Sequence, residues 1–375
     1  MTDTVPLIEV SGPPRERGRQ YGEQARDRVI AACELFRGIM EKGGRPWPAV
    51  KERAQGFAPR IEAYCPAYLE EIAGIAEGAG VETEALILLN ARNEMMLERA
   101  GEVADKDIAG GDECTSVVCL PETTADGHLI HAQNWDYRED CIDVSLVLKV
   151  EPEDGPSFLT FTIAGGLARC GLNSAGVAIT GNNLVSDRDG HRTGVPLALI
   201  RRRVLESRIY ADALGAVLSA PVAASNNMTV STAQGDAINF EAAPEECFWL
   251  YPEDGMVVHA NHFRSEAAKA KLRDLGAARS PCTLYRDRRV ESLLRPRAGS
   301  ITVDDVFAAL ADDFGAPRAV CRPPVPRRDG SFSTTAASIV MDVTAGRMWV
   351  RMAPWREGRR QSFDLGARPV AAAAE

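Results

Sequence analysis

The stretch Gly111-Asp112-Glu113-Cys114-Thr115-Ser116 joins two parts of the sequence that have different patterns. Upstream, residues 102–113 are acidic, contain glycine and lack periodicity, which is typical of an exposed loop and of a processing or hinge segment. Downstream, Ser116-Val117-Val118-Cys119-Leu120 is apolar and β-branched, which predicts a strand. Cys114 therefore lies where a loop meets the first strand of a β-rich region.

A second predicted strand follows a turn at Asp126-Gly127 and ends in Gln133-Asn134-Trp135-Asp136. If the two strands are neighbours, Asp136 lies near the start of the first one. Much later, the strand in Val257-Val258-His259-Ala260-Asn261 ends with a polar residue at its tip. Taken singly, each of these is an ordinary junction between a strand and a loop.

The remaining pattern predicts layers of sheets and helices. Residues 12–42 and 49–100 have helical periodicity, and the later strands come in blocks separated by pairs of helices. Two late apolar strands flank Thr344-Ala345-Gly346, which is a hairpin signal. This order favours sheets covered by helices over the strict βαβ alternation of a doubly wound fold.

The composition limits the kinds of molecule that we expect this protein to bind. The net charge of −10 argues against nucleic acid and anionic membranes, because both bind basic surfaces. The clusters at 201–203 and 286–289 fall in helical patterns, so we predict that these arginines lie on solvated helix faces. The sequence has no long apolar run and no secretory signal, and its nine cysteines contain no C-x-x-C pair. We therefore predict a cytoplasmic protein with reduced thiols.

The sequence predicts no metal site and no cofactor. It lacks the phosphate-loop, dinucleotide-binding and G-x-S-x-G motifs. Four of its five histidines form the pairs His128/His131 and His259/His262, a poor spacing for a metal on a strand. A cysteine hydrolase with a separate histidine base is left open by this count.

Several motifs together resemble one family. They are C-T-S-V-V-C at 114–119, H-A-Q-N-W-D-Y at 131–137, G-L-N-S-A-G-V-A at 171–178, T-G-V-P at 193–196, F-E-A-A-P at 240–244, V-V-H-A-N-H-F at 257–263, A-S-I-V-M-D at 337–342 and, more weakly, G-R-Q-Y-G at 18–22. Over nearly its whole length the chain resembles the isopenicillin N acyltransferase (acyl-coenzyme A:6-aminopenicillanic acid acyltransferase) family of autoproteolytic N-terminal-nucleophile (Ntn) hydrolases.

The resemblance implies an α+β fold, the four-layer αββα sandwich of antiparallel sheets, preceded by a helical N-terminal segment. It also implies a precursor, or zymogen, that cuts itself between Glu113 and Cys114. The products would be an α piece of residues 1–113 and a β piece of residues 114–375, packed together as one unit.

By the same resemblance, Cys114 is the nucleophile, Asp136 is the carboxylate near the cysteine amine, and Asn261 donates to the oxyanion. A free α-amine with a pKa of about 7.7–8.0 can take the thiol proton, so no histidine base is needed. The residues predicted to line the substrate pocket are Thr115, Asn134, Trp135, Tyr137, Asn182 and Ser331.

The chain departs from the family prototype at several positions. Glu113 stands where the prototype has glycine, Ala243 replaces a serine linked with maturation, and the family arginine aligns with Phe332. Arg327 and Arg328 lie close enough in sequence to replace that arginine. These changes predict a different acyl substrate.

We expect a cofactor-free enzyme that cleaves or transfers an acyl group from a small amide or thioester. Hydrolysis is favoured because nothing in the sequence marks a site for the phosphates of coenzyme A. The alternative is an uncleaved, non-enzymatic relative that acts as a binding or scaffold protein. The sequence leaves the oligomeric state open, a homo-oligomer included.

Overall fold

The structure, a computed structural model, describes residues 4–96, 113–327 and 329–366. The predicted loop at 102–113 therefore lies outside the described residues except for Glu113, and so does Arg328. The described strands are β1 (Leu7–Gly12), β2 (Glu113–Cys119), β3 (Ile130–Arg138), β4 (Ser145–Pro152), β5 (Phe158–Ile163), β6 (Cys170–Asn173), β7 (Val177–Asn183), β8 (Asn226–Thr232), β9 (Asp236–Ala243), β10 (Glu246–Leu250), β11 (Met256–His259), β12 (Val325–Pro326), β13 (Phe332–Asp342), β14 (Arg347–Met352) and β15 (Arg360–Asp364).

Helices precede, separate and follow these strands. They are α1 (Pro14–Gln24), α2 (Arg26–Lys42), α3 (Trp47–Gln55), α4 (Ala58–Tyr64), α5 (Pro66–Ala79), α6 (Thr83–Asn90), α7 (Leu197–Leu205), α8 (Tyr210–Leu218), α9 (Glu266–Lys271), α10 (Gly276–Arg279), α11 (Thr283–Leu294) and α12 (Val303–Leu310). Local signals explain several ends: Pro66 starts α5, Gly80 follows it with a left-handed φ of 73°, and Thr302 and Asp305 form a capping box at α12.

The strands form two sheets. Sheet I, which contains Cys114, has the order β11-β2-β3-β13-β14-β15, and β12 pairs with β13. Sheet II has the order β1-β4-β5-β6-β7-β8-β9-β10, and all of its pairs are antiparallel except β1 with β4. Polar bridges join the inner faces of the sheets, such as the Gln133 side-chain amide donating to the Gly181 carbonyl at 2.7 Å.

Helices cover both outer faces. Val117 and Cys119 of β2 pack in one apolar cluster with Val290 of α11 and Phe307 of α12, so these helices cover sheet I. On sheet II, the Asn173 side chain of β6 donates to the Leu205 carbonyl at the end of α7, at 3.0 Å. The fold is therefore the predicted αββα sandwich.

The N-terminal segment is not purely helical, because Leu7–Gly12 form the edge strand β1 of sheet II. Its burial alternates from residue to residue, which is the period of a strand and not of a helix. After β1, helices α1 and α5 pack closely together. A Cβ atom added to Gly18 would lie 2.2 Å from the Glu71 carbonyl oxygen, so only glycine fits there.

Two predictions about strand pairing are confirmed. Strands β2 and β3 are antiparallel neighbours and place Glu113 opposite Asp136. Strands β13 and β14 form the predicted hairpin, with Asp342 opposite Arg347. In the described part of the chain, the helices are too short or too polar to cross a bilayer.

Candidate active site

Cys114 occupies the second position of β2, directly opposite Trp135 of β3. Because side chains alternate along a strand, Cys114 and Ser116 point between the sheets, whereas Glu113 and Thr115 point toward α11. The contacts agree: Asn182 of sheet II donates to the Ser116 hydroxyl at 3.0 Å, and Arg286 of α11 donates to the Thr115 hydroxyl at 2.9 Å. The Cys114 side chain is fully buried.

Arg169 lies beside the thiol. Its Nη2 is 3.2 Å from Cys114 Sγ, and its Nη1 donates to Gln133 Oε1 at 2.8 Å. The guanidinium also lies 4.7 Å from the centre of the Trp135 ring. A guanidinium at this distance favours the thiolate form of cysteine. Sequence reasoning missed Arg169, which has no local motif and comes from the turn before β6.

Asn261 follows β11 and contacts the Cys114 backbone. Its Oδ1 accepts from the Cys114 N–H at 2.8 Å and from Arg286 Nη2 at 2.7 Å. Two donors on one atom identify that atom as the oxygen. Its Nδ2 donates to the Asn183 carbonyl at 2.8 Å, and its backbone N–H donates to the Thr283 hydroxyl at 2.7 Å. Asn261 is thus held by contacts from three elements and is bonded to the backbone of Cys114.

Asp136 is buried on the outer side of sheet I, across from Glu113. Its Oδ1 accepts from the Thr335 hydroxyl at 2.6 Å, and its Oδ2 lies 3.5 Å from Arg322 Nε and 3.9 Å from Arg286 Nη1. Burial raises the pKa of Asp136 to about 6, although both guanidiniums oppose the rise. The structure therefore brings Cys114, Asp136 and Asn261 together around one end of β2.

Glu113 is bound by a cluster of donors. Its carboxylate forms an ion pair with Arg322, lies 3.3 Å from Arg286 Nη2, accepts from the Ser280 hydroxyl at 2.6 Å and lies 3.4 Å from Cys282 Sγ. Burial would raise its pKa, but Arg322 and Arg286 lower the pKa of Glu113 to about 2. The residue before the predicted cut is therefore held as a carboxylate.

The predictions for the arginines need correction. Arg286 is fully buried at the site, and Arg202 is fully buried in ion pairs with Glu71 and Glu206, so neither lies on a solvated face. Phe332 is 41% exposed at the start of β13. Trp135 pairs with Cys114 on one side and with Ala337 on the other, so residue 332 lies five positions along β13 from the level of Cys114. The Arg327 side chain lies 4.0 Å from Asp329.

The arginines that contact Glu113 and approach Asp136 are Arg286 and Arg322. Tertiary packing decides these positions, since α11 and the segment before β12 reach the site from distant parts of the sequence. A basic residue inside an otherwise amphipathic helical pattern was the only signal for Arg286.

The predicted pocket residues divide into separate groups. Trp135 and Tyr137 share the inner face with Cys114, and their rings are stacked with the ring centroids 5.2 Å apart. Thr115 and Asn134 point to the outer face, where Asn134 donates to the Leu310 and Val320 carbonyls at 2.7 and 2.9 Å.

The other two predicted pocket residues are held by contacts of their own. Asn182 bridges the sheets through Ser116 and the His259 carbonyl. The Ser331 hydroxyl donates to Asp329 Oδ1 at 2.5 Å in the turn before β13, so the structure does not bring it to Cys114.

The histidines have their own partners. His131 bonds to Ser231 and Thr180, each at 2.8 Å, and burial lowers its pKa to about 3. His259 Nε2 lies 2.8 Å from Glu241 Oε1. Within the described ranges, the side chains that could converge on a metal ion are those of Asp126, His128 and Asp342, beyond the end of β3 that is farther from Cys114.

The Glu113 ion pairs make the stability of the uncut chain depend on pH. Since the folded-state pKa lies below the ordinary value of 4.5, Glu113 stabilises the fold above pH 4.5 and loses this contribution as the pH falls toward 2. In a Cys114→Ala background, we expect Glu113→Gln to lower stability at pH 7 by about 3 kcal/mol. Thermal unfolding should show that the difference in Tm between the Cys114→Ala protein and the double variant becomes smaller as the pH falls from 7 to 3.

Glu266→Gln in the same background is the matched control, because that side chain is 90% exposed. It should leave the profile of Tm against pH unchanged. If the loss of Tm caused by Glu113→Gln stays constant from pH 7 to pH 3, the assigned ion pairs are contradicted.

The two layered sheets, covered by helices on both outer faces, have the architecture of Ntn hydrolases. A solved structure of a variant of conjugated bile acid hydrolase from Clostridium perfringens superposes with a TM-score of 0.50 and 15% identity, covering 67% of this chain and 92% of that one. A Caenorhabditis elegans N-acylethanolamine-hydrolyzing acid amidase ortholog covers 67% of this chain and 100% of its own at 16% identity and a TM-score of 0.45.

The chain belongs to the acyl-coenzyme A:6-aminopenicillanic acid acyl-transferase family, whose model matches residues 123–356, more than half of the sequence. The 40 kDa form of acyl-coenzyme A:6-aminopenicillanic-acid-acyltransferase from Emericella nidulans is 28% identical over 352 residues, which cover 92% of each chain. The family resemblance predicted from the motifs is thereby confirmed.

Proposed function

We propose that this chain is a precursor that cuts itself before Cys114, and that the freed residue then cleaves or transfers an acyl group from a small amide or thioester. One observation carries the proposal. The Cys114 N–H bonds to Asn261 while its Sγ lies 3.2 Å from Arg169, so the backbone and the thiol each have a dedicated polar partner. Family membership and the named activities of the relatives support the same chemistry.

Self-cleavage needs no partner other than water. The Cys114 sulfur attacks the Glu113 carbonyl carbon, an S–C bond forms, the C–N bond breaks and the thiol proton ends on the nitrogen. Water then cleaves the thioester, which regenerates the thiol and leaves Glu113 with a new carboxylic acid. The products are the pieces 1–113 and 114–375.

Substrate turnover repeats this pattern. The new α-amine accepts the thiol proton, the thiolate attacks the substrate carbonyl, and the leaving nitrogen or sulfur takes the proton as it departs. Water or an amine then resolves the acyl-enzyme. In this scheme Arg169 favours the thiolate, Asn261 stabilises the oxyanion, and Asp136 balances the ammonium that forms opposite it.

One observation favours the alternative, an uncut binding protein. The ion pairs of Glu113 with Arg322 and Arg286 stabilise the intact strand on the upstream side of the scissile bond. An uncut chain would keep these contacts, and Cys114 would stay buried.

Mass spectrometry separates the two proposals. We expect the purified protein to give, under denaturing conditions, the masses of residues 1–113 and 114–375, because the thiol is adjacent to the bond it must attack. Cys114→Ala should give one full-length mass. A catalytically active wild-type protein that stays in one piece would contradict self-cleavage.

A further inference from the structure

We propose that the pocket that binds the Glu113 carboxylate in the uncut chain becomes, after the cut, a subsite for a carboxylate on the acyl group of the substrate. The substrates would be amides or thioesters of a dicarboxylic acid with the spacing of glutaric acid. This inference rests on the proposed self-cleavage and names the substrate class of the same site.

The pocket is built for a carboxylate. Arg322, Arg286, the Ser280 hydroxyl and the Cys282 thiol all contact the two oxygens of Glu113. Arg286 is fully buried and the Arg322 side chain is 5% exposed. Two buried guanidiniums that converge on one carboxylate are the arrangement that proteins use to bind this group.

The pocket is also connected to the nucleophile. Arg286 Nη1 donates to the Cys114 carbonyl at 2.7 Å, and its Nη2 donates to Asn261 Oδ1 at 2.7 Å while contacting Glu113. One side chain therefore spans the subsite, the oxyanion donor and the backbone of the nucleophile.

Glu113 itself defines the length of the acyl group. In self-cleavage, Cys114 attacks the Glu113 carbonyl, so the first acyl group on the sulfur carries its carboxylate in this pocket. A substrate acyl group that presents its carbonyl to the same sulfur follows the same path. The chain from the Glu113 carbonyl carbon to its side-chain carboxylate is that of a glutaryl group.

Charge explains why the pocket would take an anion once the α piece withdraws Glu113. Arg286 and Arg322 would then face Asp136 alone, while the new ammonium of Cys114 adds positive charge nearby. An unpaired buried charge is strongly destabilising, so an incoming carboxylate restores the balance.

The test compares the p-nitroanilides of succinic, glutaric and adipic acid with that of pentanoic acid, which has the glutaryl chain length without the carboxylate. We expect kcat/KM for the glutaryl compound to exceed that for the pentanoyl compound by roughly tenfold or more, and to exceed both other diacids. Arg322→Met should reduce the ratio of glutaryl to pentanoyl turnover. Ser280→Ala serves the same purpose if Arg322→Met fails to mature.

Arg318→Met, at an exposed arginine close by in sequence, is the matched control and should keep the wild-type ratio. A protein that is cut and cleaves the pentanoyl compound as fast as the glutaryl compound would overturn the subsite alone. A protein that stays uncut and cleaves none of the compounds would overturn the proposed function and the subsite with it.

Discussion

Cys114→Ala is expected to abolish both self-cleavage and turnover, leaving one full-length chain without detectable activity. In the proposed mechanism the same sulfur attacks the Glu113 carbonyl and then the substrate, so its loss stops both reactions. Cys114→Ser should cut slowly, since a hydroxyl can undergo the same acyl shift, but it should be a poor catalyst because it is far less acidic than a thiol. Intact mass and a steady-state assay measure the two effects separately.

Cys119 is the stringent control, because it lies on the same strand with its side chain on the opposite face. It packs against α11 and α12, and burial raises its pKa to about 12. Iodoacetamide should therefore inactivate the mature enzyme by labelling Cys114, and Cys119→Ala should be nearly silent. Inactivation that follows Cys119 in peptide maps while Cys114 stays unmodified would refute the nucleophile assignment.

Asn261→Ala is expected to lower kcat by about 10²–10³-fold while the fold is retained, as for the loss of one oxyanion donor. The measurement uses the mature protein, with processing checked by mass. Asn261→Asp tests whether the amide N–H of Asn261 is the group that matters. It keeps an oxygen for the Cys114 N–H and for Arg286 but removes the amide donor, so kcat should fall by a similar factor.

Circular dichroism and Tm exclude unfolding as the cause of lost activity. If Asn261→Asp retains wild-type kcat, the residue acts through its oxygen and not as an oxyanion donor. If both variants retain wild-type kcat and Tm, Asn261 has no part in the reaction.

Much of the fold could be predicted because its signals are local. The apolar alternation after Cys114, the turn at Asp126-Gly127 and the hairpin at Thr344-Ala345-Gly346 each depend on neighbours in sequence. Pairing of the first two strands followed from chain order and placed Asp136 opposite Glu113. Strand β1 was missed because a short edge strand precedes a long helical pattern and pairs with a strand far along the chain.

By itself, the sequence determined the family and the layered αββα fold class, and it selected three residues as candidates for the site: Cys114, Asp136 and Asn261. Only the tertiary structure decided which charges surround them. Arg169, Arg286 and Arg322 come from three distant segments, and no local pattern separates a buried arginine from a solvated one. The packing of α11 and of sheet II on β2 selects these arginines, because a buried guanidinium is stable only where folding brings a carboxylate or another acceptor to it.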